Sequence, residues 1–219
     1  MTSTVDNTAI IADLRYELAQ AHEEQNRLRR ELHHRVKNNL QIIASLLALT
    51  ARDTDDPGLV RSLADISARV DTLTRAQHWI YEDLTERGVD LRALVTDLCT
   101  GLERSLVCPR HHLVRMRCLT ARMYVCPDLA VPTSFLLTEF AGLAARYGAV
   151  GTLHVALAFA RRDGRMTLAV ASPSFIGHDY LGKYPEQPAA RLILGMVRQL
   201  DGQLNYDRNR GRYAVSFSG

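Results

Sequence analysis

Apolar side chains recur at alternating spacings of three and four residues from about residue 8 to residue 51. A pattern of this length predicts one long helix of about twelve turns with a continuous packing face. The face is formed by Ile11, Leu14, Leu18, Ala21, Leu28, Leu32, Ile42, Leu46 and Leu49. A second apolar line widens it beyond Leu32, through Val36, Leu40, Ile43 and Leu47. So wide a stripe is typical of a helix in a four-helix bundle.

A second helix with the same spacing follows a short polar turn. Asp56 is suited to cap its first turn and Pro57 to occupy the first helical position, and its apolar positions run from Leu59 to Leu84. Two helices with a short connection form an antiparallel hairpin. Because one hairpin cannot cover so wide a stripe, the sequence predicts a homodimer in which two hairpins form a four-helix bundle.

The pattern changes after Arg87-Gly88 to a mixture of helices and short alternating strands. Helices are predicted over about 91–106, 129–143 and 189–200, and strands over 114–118, 123–126, 152–159, 166–170, 203–206 and 213–217. The predicted fold class is therefore α+β, with a helical hairpin at residues 1–87 and a two-layer α/β domain at residues 88–219.

Composition narrows the range of functions. The 219 residues carry a formal net charge of +3 without interleaved aromatic and basic residues, so nucleic acid is not an expected partner. No apolar run is long enough to span a membrane and no signal peptide is evident, which predicts a cytoplasmic protein. The four cysteines are spaced as neither a zinc ribbon nor a redox pair. A metal site at Cys108, His111 and His112 lacks a fourth ligand, so no metal is expected.

His34 is the candidate for chemistry on the first helix. Leu32 and Val36 each lie about 160° from it around the helix, so His34 is predicted to face away from the core. Its helical neighbours are polar: Glu31, Lys37, Asn38 and Gln41. A carboxylate one turn away can fix the imidazole tautomer, and a lysine and an amide can steady a phosphoryl group. Spacing alone favours a surface or structural histidine over a reactive one.

The string His34-Arg35-Val36-Lys37-Asn38-Asn39-Leu40-Gln41 resembles the H-box of sensor histidine kinases with the HisKA_2 or HWE-type dimerisation domain. The resemblance implies that His34 accepts phosphate, with His33 as the second choice. From their helical spacing, Glu31 is expected to orient His34, and Lys37 and Asn38 to steady the phosphoryl group. A response-regulator receiver domain would dock around the facing second helix and the side chains of Arg30, Arg35, Lys37 and Gln41.

The order of elements after residue 88 resembles the GHKL-type (Bergerat) ATP-binding domain of the same kinases, but the motifs that hold nucleotide are changed. In the N-box, Glu139 is present and Leu143 replaces the asparagine that holds magnesium. The next box contains Ser172 and Ser174 where the family has the aspartate and glycines that read adenine. The phosphate-binding turn contains Ala189 and no glycine. The resemblance therefore implies a degenerate domain with no stably bound cofactor.

These features predict a dimeric histidine phosphotransferase of a bacterial phosphorelay, without ATP-dependent autophosphorylation. Its partners would be receiver domains, which bring their own magnesium, and an upstream histidine kinase. Three alternatives stay open. They are a phosphatase in which Asn38 orients water, a non-catalytic adaptor, and an active kinase.

Overall fold

The computed structural model describes residues 2–81, 87–106, 113–162 and 164–218, with side chains from residue 13 onward except at position 162. The chain divides into two compact units, residues 1–42 and residues 43–219. The predicted boundary between residues 87 and 88 divides the helical hairpin from the α/β domain, and it stays a prediction.

The first helix, α1, spans Thr2–Arg52. The predicted start near residue 8 was therefore wrong by six residues, because the segment before it contains no glycine or proline to interrupt a helix. The second helix, α2, spans Pro57–Tyr81. Its predicted cap is confirmed, since Asp56 Oδ1 accepts a 2.7 Å hydrogen bond from the Gly58 amide. The predicted extension of α2 to Leu84 lies outside the described residues.

The remaining elements are a mixture of helices and strands. The helices are α3 (Leu91–Ser105), α4 (Pro127–Tyr147), α5 (Tyr180–Lys183) and α6 (Pro188–Gln199), with a 3₁₀ turn at Pro173–Phe175. The strands are β1 (Val89–Asp90), β2 (Leu113–Thr120), β3 (Tyr124–Val125), β4 (Thr152–Arg162), β5 (Arg165–Ala171), β6 (Gln203–Asp207) and β7 (Arg212–Ser218). The longer predicted helices and strands are confirmed, and α5, β1 and the 3₁₀ turn were not predicted.

Five strands form one mixed sheet in the order β2-β4-β5-β7-β6. Strands β2 and β4 are parallel, and the other neighbours are antiparallel. Alternate strand residues such as Leu157, Leu168 and Val215 enter a core shared with α3, α4 and α6. A mixed sheet with helices on one face is the two-layer arrangement expected from the sequence, so the predicted fold class is confirmed.

Helix α2 packs against α4, which positions the N-box helix described below. Among the described helices, none is both long and apolar enough to cross a membrane.

Candidate functional site

The histidine pair on α1 occupies two different environments. His34 is exposed, as the spacing predicts, whereas His33 is only 4% exposed. The centroids of the two rings are 6.2 Å apart. Only an exposed imidazole is accessible to a macromolecular phosphoryl donor, so the geometry favours His34 over His33 as the reactive residue.

Glu31 is placed beside His34 but is bonded elsewhere. Arg35 Nη2 donates a 2.7 Å hydrogen bond to Glu31 Oε1, and both side chains are largely exposed. Among the described residues, no hydrogen bond joins Glu31 to His34. The orienting role of Glu31 therefore stays a prediction, and it requires the carboxylate to exchange one neighbour on the helix for another.

The other predicted residues share the same stretch of α1. Asn38 and Gln41 are exposed and Lys37 is half-buried. Arg30 is exposed, and its Nε donates a 3.3 Å hydrogen bond to the Asn26 carbonyl. Helical spacing brings Lys37 and Asn38 to within one turn of His34. The helix thus presents a nucleophile, a cation and an amide together, which is the composition of a phosphoryl-transfer surface.

The apolar stripe of α1 is uncovered in the single chain. Its members are exposed along most of the length of the helix: Leu14, Leu18, Leu28, Leu32, Ile42, Leu46 and Leu49. A contiguous apolar surface of this length is typical of a protein interface rather than of a solvated helix.

In the second unit, the surviving N-box glutamate forms a bidentate ion pair. Arg69 on α2 donates from Nε to Glu139 Oε1 at 2.7 Å and from Nη2 to Glu139 Oε2 at 3.0 Å. The Glu139 side chain is only 6% exposed. The hydrogen bond raises the pKa of Arg69 above its usual value. Thr72, three residues after Arg69 on α2, and Thr138, which directly precedes Glu139 on α4, share a buried 2.8 Å hydrogen bond. The carboxylate is thereby committed to a contact between α2 and α4.

Leu143, which the sequence predicts to replace a metal-binding asparagine, is buried. Its hydrocarbon side chain has no oxygen to offer a hard cation. The cleft beside it is lined by residues of α2, α3 and α4 and by Ala189, and it holds about 40 Å³ of space. Pockets for drug-sized ligands hold roughly 300–1,000 Å³. The cleft has room for water but not for a triphosphate.

The segment around Ser172 and Ser174, which the sequence predicts to replace the adenine-binding box, forms hydrogen bonds within the protein. Ser172 Oγ donates to Ser174 Oγ at 3.1 Å, and Ser174 Oγ donates to the Ala144 carbonyl at 3.1 Å. Phe175 is fully buried next to them. Both hydroxyls and the nearby carbonyl are satisfied by protein groups, so they are not available to a base.

A cluster of tyrosine side chains joins the end of α4 to α5 and the residue that follows it. The rings of Tyr147 and Tyr180 stack at 3.9 Å, and Tyr184 lies parallel to Tyr147 at 6.3 Å. The Tyr213 hydroxyl donates to Asp179 Oδ1 at 3.0 Å and accepts from the Tyr180 amide at 2.8 Å. Burial raises the pKa of Tyr213, so its hydroxyl stays protonated and can donate.

Sequence reasoning missed this cluster, although the two tyrosines at positions 180 and 184 were a visible signal.

Ala189, in the first turn of α6, is buried, and Pro188 precedes it. The Tyr147 hydroxyl donates a 3.0 Å hydrogen bond to Gln187 Oε1 at the start of this helix. The N-terminus of α6 is thus packed against α4. Within the part of the chain that is described, no three histidine, cysteine, aspartate or glutamate side chains are grouped to hold a metal ion. Cys108, His111 and His112 lie outside the described residues.

A family model described as HisKA_2, histidine kinase, matches residues 31–106. No curated protein sequence matches the chain significantly. Among solved structures, the chain is similar to the histidine kinase domain of the Erythrobacter litoralis EL346 blue-light activated histidine kinase. The two are 18% identical with a TM-score of 0.59, and the match covers 88% of this chain and 90% of that one.

A longer structure of the same Erythrobacter kinase is 17% identical with a TM-score of 0.59, and the match covers 84% of this chain and 60% of that one. At these identities the structural likeness establishes the fold.

Proposed function

We propose that this chain, of which residues 31–106 match the HisKA_2 histidine kinase model, is a histidine phosphotransferase of a two-component phosphorelay. The observation that carries the proposal is the contrast between its two sites. His34 is exposed on α1, whereas the cleft beside Leu143 in the α/β domain holds only about 40 Å³. The chain can accept phosphate without generating it.

The proposed reaction exchanges phosphate between His34 and the aspartate of a receiver domain. The unprotonated ring nitrogen of His34 attacks the phosphorus of an aspartyl phosphate. An N–P bond forms, the P–O bond to the aspartate breaks, and the carboxylate leaves with the electron pair. Lys37 compensates negative charge on the phosphoryl oxygens and Asn38 donates a hydrogen bond to one of them. The reverse reaction passes the group to another receiver.

Three features argue against autophosphorylation by ATP. The residue at the metal position is Leu143, the adjacent cleft holds about 40 Å³, and Glu139 is bonded to Arg69. A kinase must also move its ATP-binding domain to the histidine, whereas here two buried or half-buried polar pairs join α4 to α2. The residues present do not fit nucleotide and magnesium, so no step of the proposed reaction uses them.

Phosphate transfer tests the proposal directly. Receiver domains are phosphorylated with radiolabelled acetyl phosphate, purified, and mixed with the wild-type chain, His34→Ala or His33→Ala. We expect label to move to the wild-type chain and to His33→Ala, and to be absent from His34→Ala. The same proteins incubated with radiolabelled ATP should stay unlabelled. Labelling of the wild type by ATP alone would identify an active kinase and refute the proposal.

A phosphatase is the second candidate, because the exposed amide of Asn38 lies one turn from His34 and can orient a water molecule. It predicts release of inorganic phosphate from the receiver that is lost in Asn38→Ala and retained in His34→Ala. The transfer experiment resolves the two reactions if free phosphate is counted alongside labelled protein.

A further inference from the structure

One face of the sheet in the second unit carries a basic groove that the proposed phosphotransfer does not use. The helices cover the opposite face, and the groove lies over β2, β4 and the end of β5. It holds about 530 Å³ of space. Arg115, Arg117 and His154 line its strand side, and Ile176 and Arg210 line the side formed by the loops.

The strand register explains why the positive side chains converge. Arg115 is aligned with His154 on the neighbouring strand, and Arg117 with Ala156. Residues two apart on a strand point to the same face, so both arginines project from the uncovered face. Ala156 is aligned in turn with Ala171 on β5. Because Ala156 and Ala171 have short side chains, the centre of the groove is deeper than its rims.

The charges in this groove are not balanced by carboxylates. Within the described residues, the side chains of Arg115, Arg117 and His154 form no ion pair and no hydrogen bond. Arg210 has one weak partner, Asp207, with 3.8 Å between the closest atoms. The carboxylate of Glu103 accepts a 2.7 Å hydrogen bond from the Met116 backbone amide. That contact also covers part of the edge of β2, which leaves the face of the sheet rather than its edge for binding.

We infer that this groove is a docking surface for an acidic segment of a partner protein. Carboxylates of the segment pair with Arg115, Arg117 and Arg210, and an apolar side chain covers Ile176, which is 53% exposed. Unpaired arginines bind carboxylates through two parallel hydrogen bonds, and such pairs set the orientation of a partner as well as its affinity. The inference does not depend on His34 or on the direction of phosphate flow.

A labelled peptide tests the inference on the full chain. Fluorescence anisotropy measures binding of a fluorescein-labelled peptide of alternating glutamate and leucine, its lysine counterpart, and an oligothymidylate of equal charge. We expect the glutamate peptide to bind, the lysine peptide not to bind, and affinity for the glutamate peptide to fall about tenfold in Arg115→Gln/Arg117→Gln.

Two further variants serve as controls. Arg104→Gln/Arg198→Gln removes two exposed arginines from the helical side of the same domain and should leave binding unchanged. Arg115→Lys/Arg117→Lys keeps the charge and should retain most of the affinity. Thermal unfolding verifies that each variant is folded.

The inference is overturned if the glutamate peptide shows no preference over the lysine peptide, or if both double glutamine variants weaken it equally. It is also overturned if oligothymidylate binds as tightly and depends on the same two arginines, because the surface would then recognise nucleic acid.

Discussion

Glu31 has two neighbours on the next turn of the helix whose side chains can contact its carboxylate, His34 and Arg35. The ion pair with Arg35 is exposed, and an exposed i,i+4 pair contributes only about 0.3–0.5 kcal/mol. A contact this weak is readily exchanged when phosphate approaches His34 and the imidazole develops positive charge. The pair with Arg35 is therefore compatible with a positioning role for Glu31 during transfer.

We expect Glu31→Gln to slow phosphoryl transfer from a receiver to His34 by about tenfold while hardly changing the unfolding midpoint. The measurement is a time course of labelling by rapid quenching. Glu24→Gln is the matched control, because Glu24 forms a similar exposed pair with Arg27 on the same helix. Equal rates for the wild type and Glu31→Gln would show that Glu31 serves only the helix surface.

Cys118 on β2 is predicted to be a reactive thiol. The neighbouring thiol of Cys99 and, to a smaller extent, the Thr120 hydroxyl, which lies 3.1 Å from the Cys118 sulfur, lower the pKa of Cys118 to about 6. The pKa of Cys99 is raised by the same contact and by burial. Because the thiolate is the nucleophile, the alkylation rate of Cys118 should rise as the pH increases through about 6, against about 8.5 for an ordinary thiol.

Iodoacetamide labelling followed by peptide mass spectrometry measures this, with exposed Cys126 as the internal control. Cys99→Ala should shift the midpoint of Cys118 upward. An unchanged midpoint in that variant would show that Cys99 does not lower the pKa of Cys118.

At the scale of single residues, the sequence predicted that His34 is exposed but did not predict which side chains form hydrogen bonds or ion pairs with one another. The helical period placed Leu32 and Val36 opposite His34, and that was sufficient to predict that His34 is exposed. It did not predict that Arg35 would hold Glu31, because two neighbours of the carboxylate were at suitable spacing and only side-chain geometry decides between them. Nor did it predict the burial of His33, which depends on packing that the local period does not specify.

Helices α2 and α4 are joined by an ion pair whose two members have unequal exposure. Arg69 is one quarter exposed, whereas Glu139 is almost fully buried. Removing the arginine alone leaves a buried carboxylate without a counter-charge. We expect Arg69→Met to lower the free energy of unfolding by about 3 kcal/mol. Urea denaturation measures the change.

The double variant Arg69→Met/Glu139→Leu should recover most of that loss, because it removes the buried charge together with its partner. Asp65→Asn is a suitable control. It breaks the more exposed pair with Arg146, which also joins α2 to α4, and should cost less than about 1 kcal/mol. A double variant no more stable than Arg69→Met would contradict the electrostatic explanation.

Elements were predicted best where their pattern was local. The three-four spacing located α1, α2, α3, α4 and α6, and strict alternation located the longer strands. The contact between Arg69 and Glu139 joins positions 70 residues apart. No periodicity reports such a pair, so the commitment of the N-box glutamate to α2 became visible only in the structure. The tyrosine stack was missed for the same reason, since Tyr147 and Tyr180 belong to different elements.

For the whole molecule, the exposed stripe of α1 predicts self-association. Leu46 is 58% exposed, and its apolar neighbours along the stripe are similarly uncovered. Transfer of about 25 cal/mol per Å² of apolar surface from water to an interface favours pairing of two such stripes. We expect the wild-type chain to sediment at twice its monomer mass, and Leu46→Glu to sediment as a monomer, because a charge in the interface would be buried without a partner.

Leu119→Glu provides the control for this experiment. Leu119 is 57% exposed, nearly as much as Leu46, but it lies on β2, far along the sequence from the stripe. This variant should remain dimeric. If both variants become monomeric, the charge acts through general destabilisation rather than through the stripe. If Leu46→Glu stays dimeric, α1 does not form the interface. A dimer built on α1 would contain two copies of His34, one from each chain. Mixed dimers of wild type and His34→Ala should therefore accept half the label of wild-type dimers.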